Sequence, residues 1–184
     1  MTTAIAPSTG TTTWNLDASH SEISFKVKHL MISTTRGHFS DIKATVVVDE
    51  AKPQDAKVEV TIATASIDTR AEQRDAHLRS PDFFDAENHP TITFTGKRLE
   101  KGGSADFRFV GDLTIRGVTR EVALDVTDEG RVQDPWGGTR AGFSITGKIN
   151  RADFGLTWNA ALEAGGVVVG DEVKLEAQVE FVKA

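Results

Sequence analysis

Between Arg140 and Phe181 the chain holds two stretches in which apolar and polar residues alternate. Ala141, Phe143, Ile145 and Ile149 share one parity, with Arg140, Ser144, Thr146, Lys148 and Asn150 on the other. Val173, Leu175, Ala177, Val179 and Phe181 repeat the pattern against Glu172, Lys174, Glu176, Gln178 and Glu180. Successive side chains of a strand point to opposite faces, so each stretch predicts a half-buried β-strand. The same period runs through Ile23, Phe25 and Val27, through Val58, Val60 and Ile62, and through Val122, Leu124 and Val126. Turn residues at Gly102-Gly103, Asp128-Glu129-Gly130, Asp134-Pro135 and Gly137-Gly138 divide the chain into about eight such segments. The expectation is an all-β, antiparallel sandwich or barrel with one wet face and one apolar face.

One segment departs from the period. Thr69 followed by Glu72 fits a capping box, so Arg70 to Arg79 predicts a helix that Pro81 ends at Ser80. Ser80-Pro81-Asp82 predicts a second short helical start, with Pro at its first position. This is a helical excursion between strands, too polar to be core.

Composition narrows the function. The 184 residues suit one domain, expected over 14–184 behind a flexible arm at 1–13. A net charge of −6 offers no footprint for nucleic acid or an anionic membrane. Absence of cysteine removes thiol catalysis, disulfides and Cys-ligated metal sites. Met1 to Thr13 lacks the basic start and apolar run of a secretory signal, and no stretch has the roughly 20 apolar residues of a spanning helix. The expectation is a cytoplasmic protein.

Several motifs in order resemble one family. They are Trp14-Asn15-Leu16-Asp17 with His20-Ser21-Glu22-Ile23-Ser24-Phe25-Lys26-Val27-Lys28-His29, and Ala65 to Thr69 leading into Arg74 to Asp85. Pro90 to Phe94, Gly111 to Thr119, Asn150 to Gly155, Trp158-Asn159, Glu163 to Gly166 and Gly170-Asp171 complete the set. Together they resemble the YceI-like polyisoprenoid-binding family from Trp14 to Phe181. The resemblance implies a lipocalin-like barrel of about eight strands whose bore holds a long isoprenoid or related amphiphile, such as a polyprenyl chain or quinone. It implies no catalytic machinery and no cofactor. Secreted relatives open with a signal peptide, a pattern this chain does not follow.

The candidate lining follows from parity. Phe25, Val27, Phe94, Phe109, Leu113, Ile115, Phe143, Ile145, Leu175, Ala177 and Val179 lie on the apolar faces of predicted strands, and Trp158 joins them from the following loop. An eight-stranded barrel is wide enough either to be filled by such side chains or to hold one small ligand. The loop from Trp158 to Gly170 is apolar at Ala160, Ala161, Leu162, Val167, Val168 and Val169, where loops are ordinarily polar. It either plugs the sheet or forms a lip at the mouth, and the lip is the expectation.

Arg70, Arg74 and His77 fall at i, i+4 and i+7 of the predicted helix, a basic stripe suited to an anionic head group or to an exposed face. Asp75 and Arg79 either pair with each other or dock the helix onto strands. The five histidines lack metal-ligand spacing, no nucleophile elbow is present, and neither a metal site nor a catalytic residue is expected. Three classes of function remain: an isoprenoid carrier, store or buffer; a small enzyme using His29 or His77 as acid–base group; and an interaction protein with an empty barrel. The first is the expectation, with a homodimer left open.

Overall fold

The computed structural model describes residues 10–184. Its strands are β1 (Thr11–Leu16), β2 (Glu22–His29), β3 (Ser33–Phe39), β4 (Ile42–Asp49), β5 (Lys57–Ala63), β6 (Ile67–Asp68), β7 (Thr91–Lys101), β8 (Phe107–Ile115), β9 (Val118–Gln133), β10 (Thr139–Asn150) and β11 (Val169–Lys183). One α-helix, α1 (Glu72–Arg79), stands between β6 and β7. Every pairing is antiparallel. Eight strands close into a barrel in the order β1-β4-β5-β7-β8-β9-β10-β11, with β11 returning to β1. Closure removes the unpaired edges that an open sheet would expose. The remaining strands, β2, β3 and β6, branch from the first half of β11.

The alternation sets the register. Phe143 lies opposite Val179, Ile145 opposite Ala177, and Ile149 opposite Val173. Leu175 lies opposite Phe25, and Ala177 opposite Ile23. A slip of one residue would turn all of these outward. The inner face of β7 and β8 is tightly filled: Ile92, Phe94, Phe109, Leu113 and Ile115 are buried with Phe39, Ile42, Ile62 and Ile67. Phe94 and Phe109 meet edge to face at 6.4 Å between centroids. A second cluster of Trp14, Ala141, Val179 and Phe181 closes around the β1–β11 seam.

The punctuation differs from expectation at four places. Asp128-Glu129-Gly130 is a β-bulge inside β9, not a turn. Asp128 pairs with Phe143 and Gly130 with Gly142, leaving Glu129 as the extra residue, and glycine serves there because φ at Gly130 is +109°. Thr11 to Thr13, expected in the arm, belong to β1, while residues 1–9 of that arm lie outside the described residues. The capping box does not form. Helix α1 starts at Glu72 because Arg70 has φ +63°, and the Thr69 hydroxyl and N–H both donate to Asp75 instead. No second helix follows Pro81. Residues 81–84 form hydrogen-bonded turns, in which Phe83 is buried and Phe84 packs against the core. No described helix is long and apolar enough to cross a membrane.

Candidate functional site

The barrel interior is filled unevenly. Phe94, Phe109, Leu113, Ile115 and Val179 are buried in the packed clusters. Phe25, Phe143, Ile145 and Ala177 are only partly buried against those clusters, although strand parity turns them the same way. Val27 and Leu175 belong to neither cluster, yet both stay partly shielded from solvent. Native interiors are packed nearly as densely as organic crystals, so apolar side chains of inward parity left half covered mark unfilled space. Such space borders Ile149 of β10 and Leu175 of β11.

Beside it the wall is split. Strands β9 and β10 are paired only as far as Asp125 opposite Thr146; beyond it, Val118 to Leu124 pair with β8 alone and Gly147 to Asn150 with β11 alone. A cavity of about 700 Å³ opens in this split. Its apolar lining is Val122, Ile149, Phe154 and Leu175, and its rim carries Arg108, Arg120, Lys148 and Lys174 among carboxylates. The volume lies within the range of ordinary small-molecule sites. Gly147 faces Leu124 across the split: a Cβ built on it would stand 2.6 Å from Leu124 Cδ2. Absence of a side chain at 147 is what lets Leu124 lie across the opening. None of Gly147, Leu124, Val122, Ile149 or Phe154 was among the expected lining. One signal for the first existed: glycine stands where the alternation of β10 calls for an apolar residue.

The loop after β10 is anchored by a buried arginine. Arg151 donates to the backbone carbonyls of Leu156, Trp158 and Gly170 at 2.7, 2.9 and 2.9 Å, and to Val169 at 3.3 Å. Burial pushes the Arg151 guanidinium down, and Asp171 at 3.5 Å opposes that shift. Asn159 completes the clamp, accepting from the Val169 N–H and donating to the Val169 carbonyl. Ala160, Ala161 and Val167 are exposed, so this loop does not plug the sheet but projects from it as a lip, joined to the β2–β3 turn by the Leu30 N–H to Val168 carbonyl bond.

Trp158 lies outside both packed clusters. Its ring meets His77 at 4.8 Å and Phe83 at 5.3 Å. His77 also sits 2.8 Å from Asp82. The three basic residues expected as a stripe do not share a helix face. Arg70 precedes α1, and Arg74 folds back to donate to the Thr69 hydroxyl and carbonyl. Asp75 and Arg79 dock the helix rather than pair: Asp75 holds Thr69, and Arg79 donates to the carbonyls of Ala65 and Ile67. His29 closes β2, opposite Ser33 and Val169.

Asp17, His20 and Glu180 come within reach of one another, a grouping with metal-ligand chemistry. The Arg140 guanidinium lies among them, donating to Asp17 at 2.8 Å and to Glu180, as well as to Asp134. A fixed cation thus already pairs with these carboxylates.

Comparison with known proteins gives a consistent result. The family model described as YceI-like domain matches residues 14–181. A UPF0312 protein of Staphylococcus epidermidis is 42% identical over 171 residues, covering 92% of this chain and 97% of its own length. A Staphylococcus aureus UPF0312 protein is 40% identical over the same span. Among solved structures, BcnA of Burkholderia cenocepacia superposes with a TM-score of 0.77 at 25% identity, covering 90% of this chain and 98% of that one. The YCEI protein of Campylobacter jejuni gives 0.70 at 37% identity, over 90% and 94%. A polyisoprenoid binding domain from Saccharophagus degradans shares the fold, with a TM-score of 0.64 at 16% identity over 91% and 97%.

Proposed function

Starting from the fact that the chain belongs to the YceI-like domain family, we propose that it binds a long-chain isoprenoid or similar amphiphile inside the barrel and serves as its carrier or store. One observation carries this reading. Inward residues of β10 and β11, among them Phe143, Ile145 and Ala177, are only partly buried, and Leu175 and Ile149 of the same strands line a cavity of about 700 Å³. An apolar tail lying there would recover roughly 0.8 kcal/mol per buried CH₂, less the cost of association. The solved domain from Saccharophagus degradans is named for polyisoprenoid binding, which agrees with the reading at the level of fold.

Binding is favoured over catalysis by how His77, one of the two candidate acid–base groups, is held. His77 is wedged between Phe83 and Trp158 and bonded to Asp82, an arrangement that braces the end of α1. Solvent extraction of freshly purified protein, followed by mass spectrometry, tests the proposal. A prenyl lipid near one per chain is expected. Extracts without lipid, together with no uptake of added prenol, would overturn it.

A further inference from the structure

Two apolar turns project side by side from the end of the barrel at which β11 begins. The first is Leu30-Met31-Ile32, between β2 and β3, where Met31 is 57% and Ile32 85% exposed. The second is the outer part of the lip, a small hairpin in which Ala161 pairs with Val167 and the Leu162 N–H donates to the Gly166 carbonyl. The two meet: a Cβ built on Gly166 would stand 3.9 Å from Met31 Cγ. Exposed apolar side chains gathered in one place mark an interaction surface, whereas scattered ones need no account. Backbone strain sharpens the point. Leu30 and Met31 hold positive φ at a turn where Asn-Gly would sit more easily, and what they present there is an apolar tip.

Charge identifies what covers the tip. The chain carries a net charge of −6, yet Ile23 to Ser40, the hairpin that bears the tip, holds Lys26, Lys28 and Arg36 and no carboxylate. Lys26 is paired with Glu176, while Lys28 and Arg36 are exposed and have no ion-pair partner among the described residues. Lys28 stands opposite Thr34 and Arg36 opposite Lys26, so the cations share one face of the hairpin. At about 3.4 Å per residue, Lys28 lies roughly 10 Å behind Met31, and Arg36 roughly 14 Å behind Ile32. Apolar residues of an interfacial anchor sink about 5–10 Å into the boundary between headgroups and acyl chains, a depth that brings Lys28 to the lipid phosphates with Arg36 just above them.

We propose that this end of the barrel docks on an anionic lipid bilayer, with Met31 and Ile32 inserted at the interface, Val167 beside them, and Lys28 and Arg36 against the phosphates. Clustered basic residues next to an apolar anchor add electrostatic attraction to anionic lipid, and the two together hold a protein on the surface without spanning it. Glu163, the one carboxylate between Ala160 and Val169, opposes the contact and limits its strength. Docking of this kind requires no cargo in the barrel, so it stands apart from the isoprenoid-binding reading.

Because the chain lacks cysteine, Ile32→Cys gives a single labelling site for the test. A polarity-sensitive fluorophore there should brighten on vesicles of phosphatidylcholine and phosphatidylglycerol in equal amounts, and not on phosphatidylcholine alone. The same fluorophore on Trp136→Cys, 84% exposed in the turn at the opposite end of β10, should not respond. In cosedimentation with the anionic vesicles, Met31→Ser/Ile32→Ser and Lys28→Gln/Arg36→Gln should each bind roughly tenfold more weakly than the unaltered chain, and Glu163→Gln more tightly. All five positions are exposed, so the variants keep the fold, which circular dichroism verifies. Failure of the unaltered chain to bind, equal binding to both kinds of vesicle, or undiminished binding by Met31→Ser/Ile32→Ser would overturn the proposal. Self-association that the same double variant abolishes, without any binding to vesicles, would assign the tip to a second copy of the chain and overturn it likewise.

Discussion

Leu124 lies over Gly147 where the pairing of β9 with β10 ends, so that any side chain at 147 would meet the Leu124 methyl. This pair sets the width of the split. Leu124→Ala should widen it and speed release of a bound fluorescent prenol severalfold in stopped-flow measurements. Leu124 is only partly buried, so its loss should cost about 1–3 kcal/mol by denaturant titration, below the range for a fully buried leucine. Gly147→Val should act oppositely, crowding Leu124 and slowing exchange. Identical exchange rates in all three proteins would show that ligand uses another route.

The strands were legible in the sequence because closure of a barrel demands strict alternation, and Phe143, Ile145, Ala177 and Val179 obey it. The split was not legible. It arises where β9 and β10 diverge, a property of strand pairing that no single segment encodes. The helix boundary failed for a related reason. Thr69 and Glu72 satisfy the capping pattern, but Asp75 offers Thr69 a buried carboxylate, and that longer-range partner wins. Arg74 and His77 likewise fall at helical spacing in the sequence, but their partners, Thr69 and Asp82, stand outside the helix.

Arg151 should be the most sensitive charged residue. Arg151→Ala would strand the carbonyls of Leu156, Trp158, Val169 and Gly170, and a loss of at least about 3 kcal/mol is expected. Arg151→Lys keeps the charge without the planar fork and should recover only part of it. Thermal melts of the two variants give the order; a lysine variant as stable as the native chain would show that charge alone anchors the lip.

Arg140 makes an acid-dependent contribution. The Ser19 hydroxyl, then Arg140 and His20, hold the Asp17 carboxyl well below the usual carboxylate range, and Arg140 does the same to Asp134. A carboxylate with a lowered folded-state pKa adds stability above its unfolded value and loses it as pH falls toward the folded one. The advantage of the native chain over Arg140→Gln should therefore be full between about pH 5 and 8 and shrink below about pH 4. A melting-temperature gap that stays constant down to pH 2 would contradict this.

The β2–β3 turn is built from residues ill suited to it. Leu30 and Met31 both have positive φ, +51° and +60°, and the Ile32 N–H closes the turn on the His29 carbonyl. Turns of this shape favour Asn-Gly. The pair Leu30→Asn/Met31→Gly should stabilise the protein by about 1–2 kcal/mol, since each non-glycine residue in this region is strained. Met31 is 57% exposed and Leu30 half-buried, so only part of one side chain's burial is lost in exchange. A lower melting temperature in the double variant would indicate that the exposed apolar tip is held by contacts with the lip.

The final expectation concerns the unfilled side of the barrel. Ala177 stands opposite Ile145 on one strand and Ile23 on the other, on the inward parity of β11. In a fully packed interior, enlarging it would force its neighbours off their rotamers and cost about 1–3 kcal/mol. Beside open space the new side chain occupies volume that a ligand would otherwise take. Ala177→Leu and then Ala177→Phe should therefore lower the lipid recovered per chain in two steps, while the melting point stays near that of the native protein. Phe94, buried on the filled side, provides the contrast, since Phe94→Leu should lower stability without raising or lowering the lipid load. Should Ala177→Phe retain its full lipid complement while folded, the ligand does not lie against the middle of β11.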